Sequence, residues 1–184
     1  MKFINENLKK VGIVNSVLIV IAIALKIYCT VIHPHVNTIL EGVFCIAALV
    51  CGFIYGLSGY KKDGAKYFKI FFVLYAAEAV MSAINAFIYK PEGMMVFTVI
   101  VLIAHIAVVL CALALALLKD IGKDNSTIIA FVNLFINVIL LVAVCTSKNY
   151  VQAYVGEINN VVLSCIAFIF VSAKYKDKEI RGSK

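Results

Sequence analysis

The chain returns six times to a long apolar run, over residues 11–32, 39–60, 67–88, 94–118, 128–146 and 158–173. A helix rises about 1.5 Å per residue, so about twenty such residues cross a hydrocarbon core about 30 Å thick. With 64% hydrophobic and 15% charged residues in a chain of 184, a water-soluble core cannot cover the apolar surface. Lipid is therefore the solvent, and folds that need an open sheet or long polar loops are excluded because their backbone groups go unpaired there. The links, at 33–35, 61–66, 90–93, 119–126 and 147–157, are short. Such links make neighbours antiparallel, so the expected fold is all-α: one transmembrane domain of six helices in three hairpins.

The formal net charge of +7 reflects lysines placed beside apolar runs, which orient a membrane protein rather than bind nucleic acid. The sixth run is the weakest, since Glu157, Asn159 and Asn160 shorten it to about fourteen clean apolar residues, about 21 Å. Charge still requires that crossing. With six spans, Lys90 and Lys148 alone lie outside, Lys26 lies within the first span, and every other Lys and Arg is cytoplasmic. Both termini are thus expected in the cytoplasm and the protein in the plasma (cell) membrane, with the basic tail 174–184 solvated. The run 11–32 exceeds a signal-peptide apolar region and lacks an A-x-A site, so it is read as a retained span. In the absence of Trp, Tyr28, Tyr60, Tyr67, Tyr89, Tyr150, Tyr154 and Tyr175 supply the interfacial belt.

The six cysteines, all in or beside apolar runs and without C-x-x-C, read as small buried hydrophobes rather than a disulfide framework. Cys45-Ile46-Ala47, His105-Ile106-Ala107 and Cys165-Ile166-Ala167 recur at a spacing of sixty, which suggests three copies of a two-helix unit. Pro34 and Pro91 sit in the first two outer turns, and helix two carries a stripe of Glu41, Cys45, Ala48, Gly52, Tyr55 and Gly59. In this layout of three hairpins the chain resembles the HdeD family of bacterial acid-resistance membrane proteins. The likeness implies a six-span fold and a stress or assembly role without transport. It carries no catalytic residues across, and the third outer turn lacks the proline.

A charge at mid-bilayer costs about 2.5–3.5 kcal/mol on insertion scales, so Lys26, Glu78 and His105 each need a partner. Helical spacing puts Asn15, Ala22, Lys26, Thr30 and His33 on one stripe, and Glu78, Ser82, Asn85 and Tyr89 on another, both expected to face protein. Counted from the outer ends, Lys26 lies about 9 Å deep, Glu78 about 15 Å and His105 about 16 Å. Glu78 can pair with Lys26 or His105 and fix the packing, or change protonation as part of a proton relay. Lys26 can instead snorkel outward along its own stem. Asn85, Asn133 and Asn137 either line the same path or join helices by hydrogen bonds.

Four further groupings come from spacing. Cys45, His105 and Cys165, equivalent under the repeat, form a candidate metal site. His33, His35 and Glu41 at the outer rim can bind a cation or sense pH. Gly52 and Gly56, and separately Ala112 and Ala116, make small-x-x-x-small faces that join helices within the bundle or dock a second copy or partner subunit. Gly56-Leu57-Ser58-Gly59 is similar to the G-x-S-G of rhomboid intramembrane proteases, but Ser58 lies at the cytoplasmic end and His105 at mid-membrane, too far apart for a nucleophile and base.

The functional expectation is a transport component for a small solute or proton, or a solute-binding membrane component. Its site is formed by Lys26, Glu78, Ser82, Asn85, His105 and Asn137, and neither catalytic chemistry nor a cofactor is expected. The alternatives are the HdeD-type role, an intramembrane enzyme, and the binding subunit of a vitamin uptake system, whose usual A-x-x-x-A on the first helix is missing here.

Overall fold

The computed structural model describes residues 8–57, 65–88, 95–118, 122–146 and 151–182, with side chains described over 11–57, 65–88, 95–118, 122–145 and 155–174. Every regular element among them is helical: α1 (Leu8–Ile32), α2 (Val36–Leu57), α3 (Ala65–Ile88), α4 (Met95–Leu117), α5 (Lys123–Thr146) and α6 (Val151–Gly182). All six are long and apolar enough to cross a membrane. The chain is a multi-pass integral membrane protein.

Helix ends differ from the hydropathy boundaries because an apolar run marks hydrocarbon, whereas backbone hydrogen bonding continues into the interface. α5 begins five residues before the expected span, on Lys123 and Asp124, where an acidic side chain favours the positive helix N-terminus. α6 extends both ways past the expected 158–173, and its helix takes in the tail as far as Gly182. Between α1 and α2, Pro34 ends one helix, and the amide of Ile39 bonds the His35 carbonyl at 2.9 Å as the next begins.

Consecutive helices pack on one another, α6 returns against α1, and α3 also touches α6. The exterior is apolar: Ile13, Val17, Val20, Ile103, Leu110, Phe131, Phe135 and Val142 are all exposed, a face that suits acyl chains. The interior is divided. One half holds the aromatic residues Tyr55, Phe68, Phe71, Phe72 and Phe170, packed edge to face or tilted at 4.8–5.5 Å between ring centroids. Lys174 stands over the Phe68 ring at 4.2 Å, marking where this half meets the polar boundary. Towards the α1–α2 turn the core is polar, and the charged side chains collect there.

Two small residues set how closely the helices approach. A Cβ on Gly42 would lie 2.7 Å from the Thr30 hydroxyl, so α1 and α2 cross closely just where Glu41 must reach α1. A Cβ on Gly52 would lie 2.8 Å from the Phe170 ring. The Gly52 face is thus filled by α6, and Ala112 and Ala116 are likewise buried in the core of the same chain. Of the two expected uses, Gly52, Ala112 and Ala116 serve the first, joining helices within the bundle, and Gly56 is half-buried at the edge of its face.

Candidate functional site

On α1 the buried positions Asn15, Ile19, Ala22 and Lys26 follow helical spacing, so the lysine is carried inward by the same stripe that packs the helix. Only 2% of Lys26 is exposed. Its Nζ donates to Glu41 Oε1 on α2 and to Glu78 Oε1 on α3, the latter at 2.9 Å. Asn85, two turns further along α3, donates its amide to the other Glu41 oxygen. Three helices are therefore tied through one ammonium and two carboxylates. Lys26 does not snorkel; a second carboxylate fixes it inside.

That second carboxylate was misplaced by sequence reasoning, which put Glu41 at the rim with His33 and His35. The rim group is not formed, because Glu41 turns inward while the two imidazoles stack on each other at 6.5 Å. The signal was present: Glu41 opens the small-residue stripe of α2, whose other described members Cys45, Ala48, Gly52 and Tyr55 are buried.

The polar region continues onto helices the spacing had not joined to it. Cys45 accepts a hydrogen bond from Asn159 Nδ2 on α6 at 3.6 Å, and Asn160 Nδ2 donates to Glu157 Oε2 at 3.3 Å. Glu157, which the sequence offered only as a weak point of the sixth span, is a buried carboxylate in the field of His105 and Glu78. His105 bonds the Val101 carbonyl at 2.8 Å through Nδ1. Since a carbonyl only accepts, Nδ1 carries a proton, and the buried Nε2 has no hydrogen-bond partner.

Deeper along α3 the network becomes neutral. Asn133 and Asn137 of α5 each donate to the Tyr75 hydroxyl at 3.2 Å, and Asn137 also donates to the Asn133 carbonyl at 2.8 Å. Tyr75 lies three residues from Glu78 and feels its charge, so the asparagines extend the same interior without touching the ion centre. Ser82 is half-buried between Glu78 and Asn85.

The metal expectation is corrected. Among the described residues no three His, Cys, Asp or Glu side chains are grouped to hold a metal ion. The reason lies in the repeat. Glu41, Cys45, Ala48, Gly52 and Tyr55 on α2 are matched sixty residues later by buried Val101, His105, Val108, Ala112 and Leu115 on α4. Sixty residues further on, in α6, Val161, Cys165 and Phe168 are half-buried while Ser172 is buried, so Cys165 does not share the full burial of Cys45 and His105. All six cysteines are free. Ser58, Gly59, Tyr60 and the turns holding Pro91 and Lys148 lie outside the described residues.

Two carboxyl groups converge on one buried ammonium, so the centre suits a positive species, a proton included. The chain matches no family model, no curated protein and no solved structure.

Proposed function

We propose that this protein is a small membrane component that passes or binds a proton or a small solute through the interior centred on Lys26, Glu41 and Glu78, and that it is not an enzyme. One observation carries the reading: Lys26 is buried between two carboxylates, one of which, Glu78, is 1% exposed. Each buried ion costs several kcal/mol in desolvation, and apolar side chains of similar volume hold helices at least as well. Ionisable groups kept inside a membrane bundle at that cost mark pathways for ions, protons or substrates. The stripe from Asn85 through Glu78 to the Tyr75 asparagines supports a path rather than an isolated pair.

On this reading the helices form three antiparallel hairpins in the plasma membrane with both termini cytoplasmic, supported by the distribution of Lys and Arg. The test uses purified protein reconstituted in vesicles with an entrapped pH dye and a potassium diffusion potential. The parent should acidify the lumen faster than empty vesicles do, and Glu78→Gln should abolish the difference. A parent rate equal to that of empty vesicles, with no uptake of any solute screened, discards passage.

A second reading is favoured by the saturation of the ion centre. Both Lys26 partners are in place and the aromatic half of the core closes the bundle beyond them. A structural role of this kind accords with the HdeD-type stress or assembly protein that the hairpin layout resembles. It predicts that Glu78→Gln changes stability alone.

A further inference from the structure

A buried ammonium needs a carboxylate beside it at all times, so of the two carboxyl groups on Lys26 one must stay charged while the other is free to bind a proton. Their surroundings differ. The Glu78 side chain is 1% exposed and that of Glu41 is 11% exposed. Towards the α1–α2 turn the same helix stripes carry Thr30 and His33 on α1 and Asn37 and Thr38 on α2, all half-buried. In the other direction the aromatic half of the core closes the bundle. The polar approach to the centre is thus from the turn, and Glu41 stands on it ahead of Glu78.

Asn85 sets Glu41 apart further. Its Nδ2 donates to Glu41 Oε2 while Lys26 holds Oε1, and its own Oδ1 is buried with no hydrogen-bond partner among the described residues. A carboxylate only accepts, so it takes the amide N–H. A carboxylic acid also donates, and a half-turn of the amide brings the idle Asn85 carbonyl to that O–H.

Resting on the reading that this interior passes or binds a proton, we infer that the proton is held on Glu41 rather than on Glu78, and that Asn85 is the positioning residue that holds Glu41 in both charge states.

The step needs only water as proton donor. An O–H bond of a hydronium ion arriving from the turn breaks as the Oε2–H bond of Glu41 forms, leaving water, and the Nδ2–H···Oε2 hydrogen bond gives way to Oε2–H···Oδ1. Lys26 keeps its charge and stays on Glu78, its permanent counter-ion. Release reverses each change. The charged and titratable groups around Glu41 are Lys26 and Cys29 from α1, Glu78 from α3, Glu157 from α6 and Cys45 on α2 itself, with His33 and His35 at the turn. Of these, Lys26 is the one that hydrogen-bonds the Glu41 carboxyl.

The experiment follows the proton from both partners. Purified protein in detergent is titrated from pH 8 to pH 4. Infrared difference spectra record the protonated-carboxyl stretch, and NMR after 15N-asparagine labelling records the side-chain amides, Asn85 being assigned by its loss in Asn85→Leu. The carboxyl band should grow as the Asn85 amide protons move, with midpoints that agree within half a pH unit. Glu41→Gln should remove the band and hold the amide still. Glu78→Gln, which leaves Glu41 as the sole partner of Lys26, should suppress both changes across this range. Asn85→Leu should shift the band to higher wavenumber, since the acid's O–H loses its acceptor, and Asn85→Gln should bring it back. In vesicles Asn85→Leu should slow acidification at least tenfold. No titrating band, a band that grows while the Asn85 amide stays still, or a band that Asn85→Leu leaves in place overturns the inference, even where parent vesicles acidify and passage survives. The first two of these results come from the parent protein, so they stand even where Glu41→Gln fails to fold. Coupled titration of Glu41 and Asn85 without acidification upholds the inference and removes passage.

Discussion

Replacing Lys26 by Met tests the ion centre most directly, because the substitution keeps the stem and removes only the charge that Glu41 and Glu78 share. Breaking a buried pair by deleting one partner costs about 3–5 kcal/mol, since the remaining carboxylates keep their desolvation penalty. On soluble-domain scaling for a chain of this length, about 2–4 °C per kcal/mol, the unfolding temperature should fall by about 6–20 °C. The buried thiol of Cys45 offers the readout once the other five cysteines, exposed or half-buried, are replaced by alanine in parent and variants alike: a thiol-reactive fluorophore in detergent then labels it as the bundle opens. The triple variant Lys26→Met, Glu41→Gln, Glu78→Gln removes all three charges and should recover most of the loss, because an apolar or neutral replacement of a whole buried network is often close to neutral. A Lys26→Met shift below about 2 °C, or a triple variant less stable than the single one, would refute the view that the lysine neutralises two buried carboxylates.

Four other outcomes follow from the packing and the network. Gly52→Ala forces a methyl against the Phe170 ring and should destabilise by about 1–3 kcal/mol, a loss that Phe170→Leu in the same chain should partly relieve in the same thermal assay. Tyr75→Phe removes the acceptor shared by Asn133 and Asn137 and should cost about 0.6–2 kcal/mol, measured by reversible unfolding in mixed micelles; a stability gain would contradict the hydrogen bonds. Glu78→Gln should stop proton entry into vesicles, as set out above. Reporter fusions at the two termini should both register the cytoplasmic side, and opposite sides would mean that the charge distribution misorients the chain.

Six apolar runs and the bias of Lys and Arg were legible without any coordinates, because the bilayer imposes length and polarity on each segment independently of its neighbours. Helical spacing likewise turned Lys26, Glu78 and Asn85 inward, since one face of each helix must hide them from lipid. Spacing along a single helix is silent about which helix lies opposite. Only the close crossing at Gly42 brought Glu41 to Lys26, and only the position of α6 against α1, α3 and α5 brought Glu157 and its asparagines into the polar interior. Likewise only the packed bundle left Cys165 half-buried while Cys45 and His105 are buried. Depth and facing direction are one-dimensional properties that local chemistry fixes, whereas partnership among charges depends on rotation and proximity between helices, which the packed bundle alone decides.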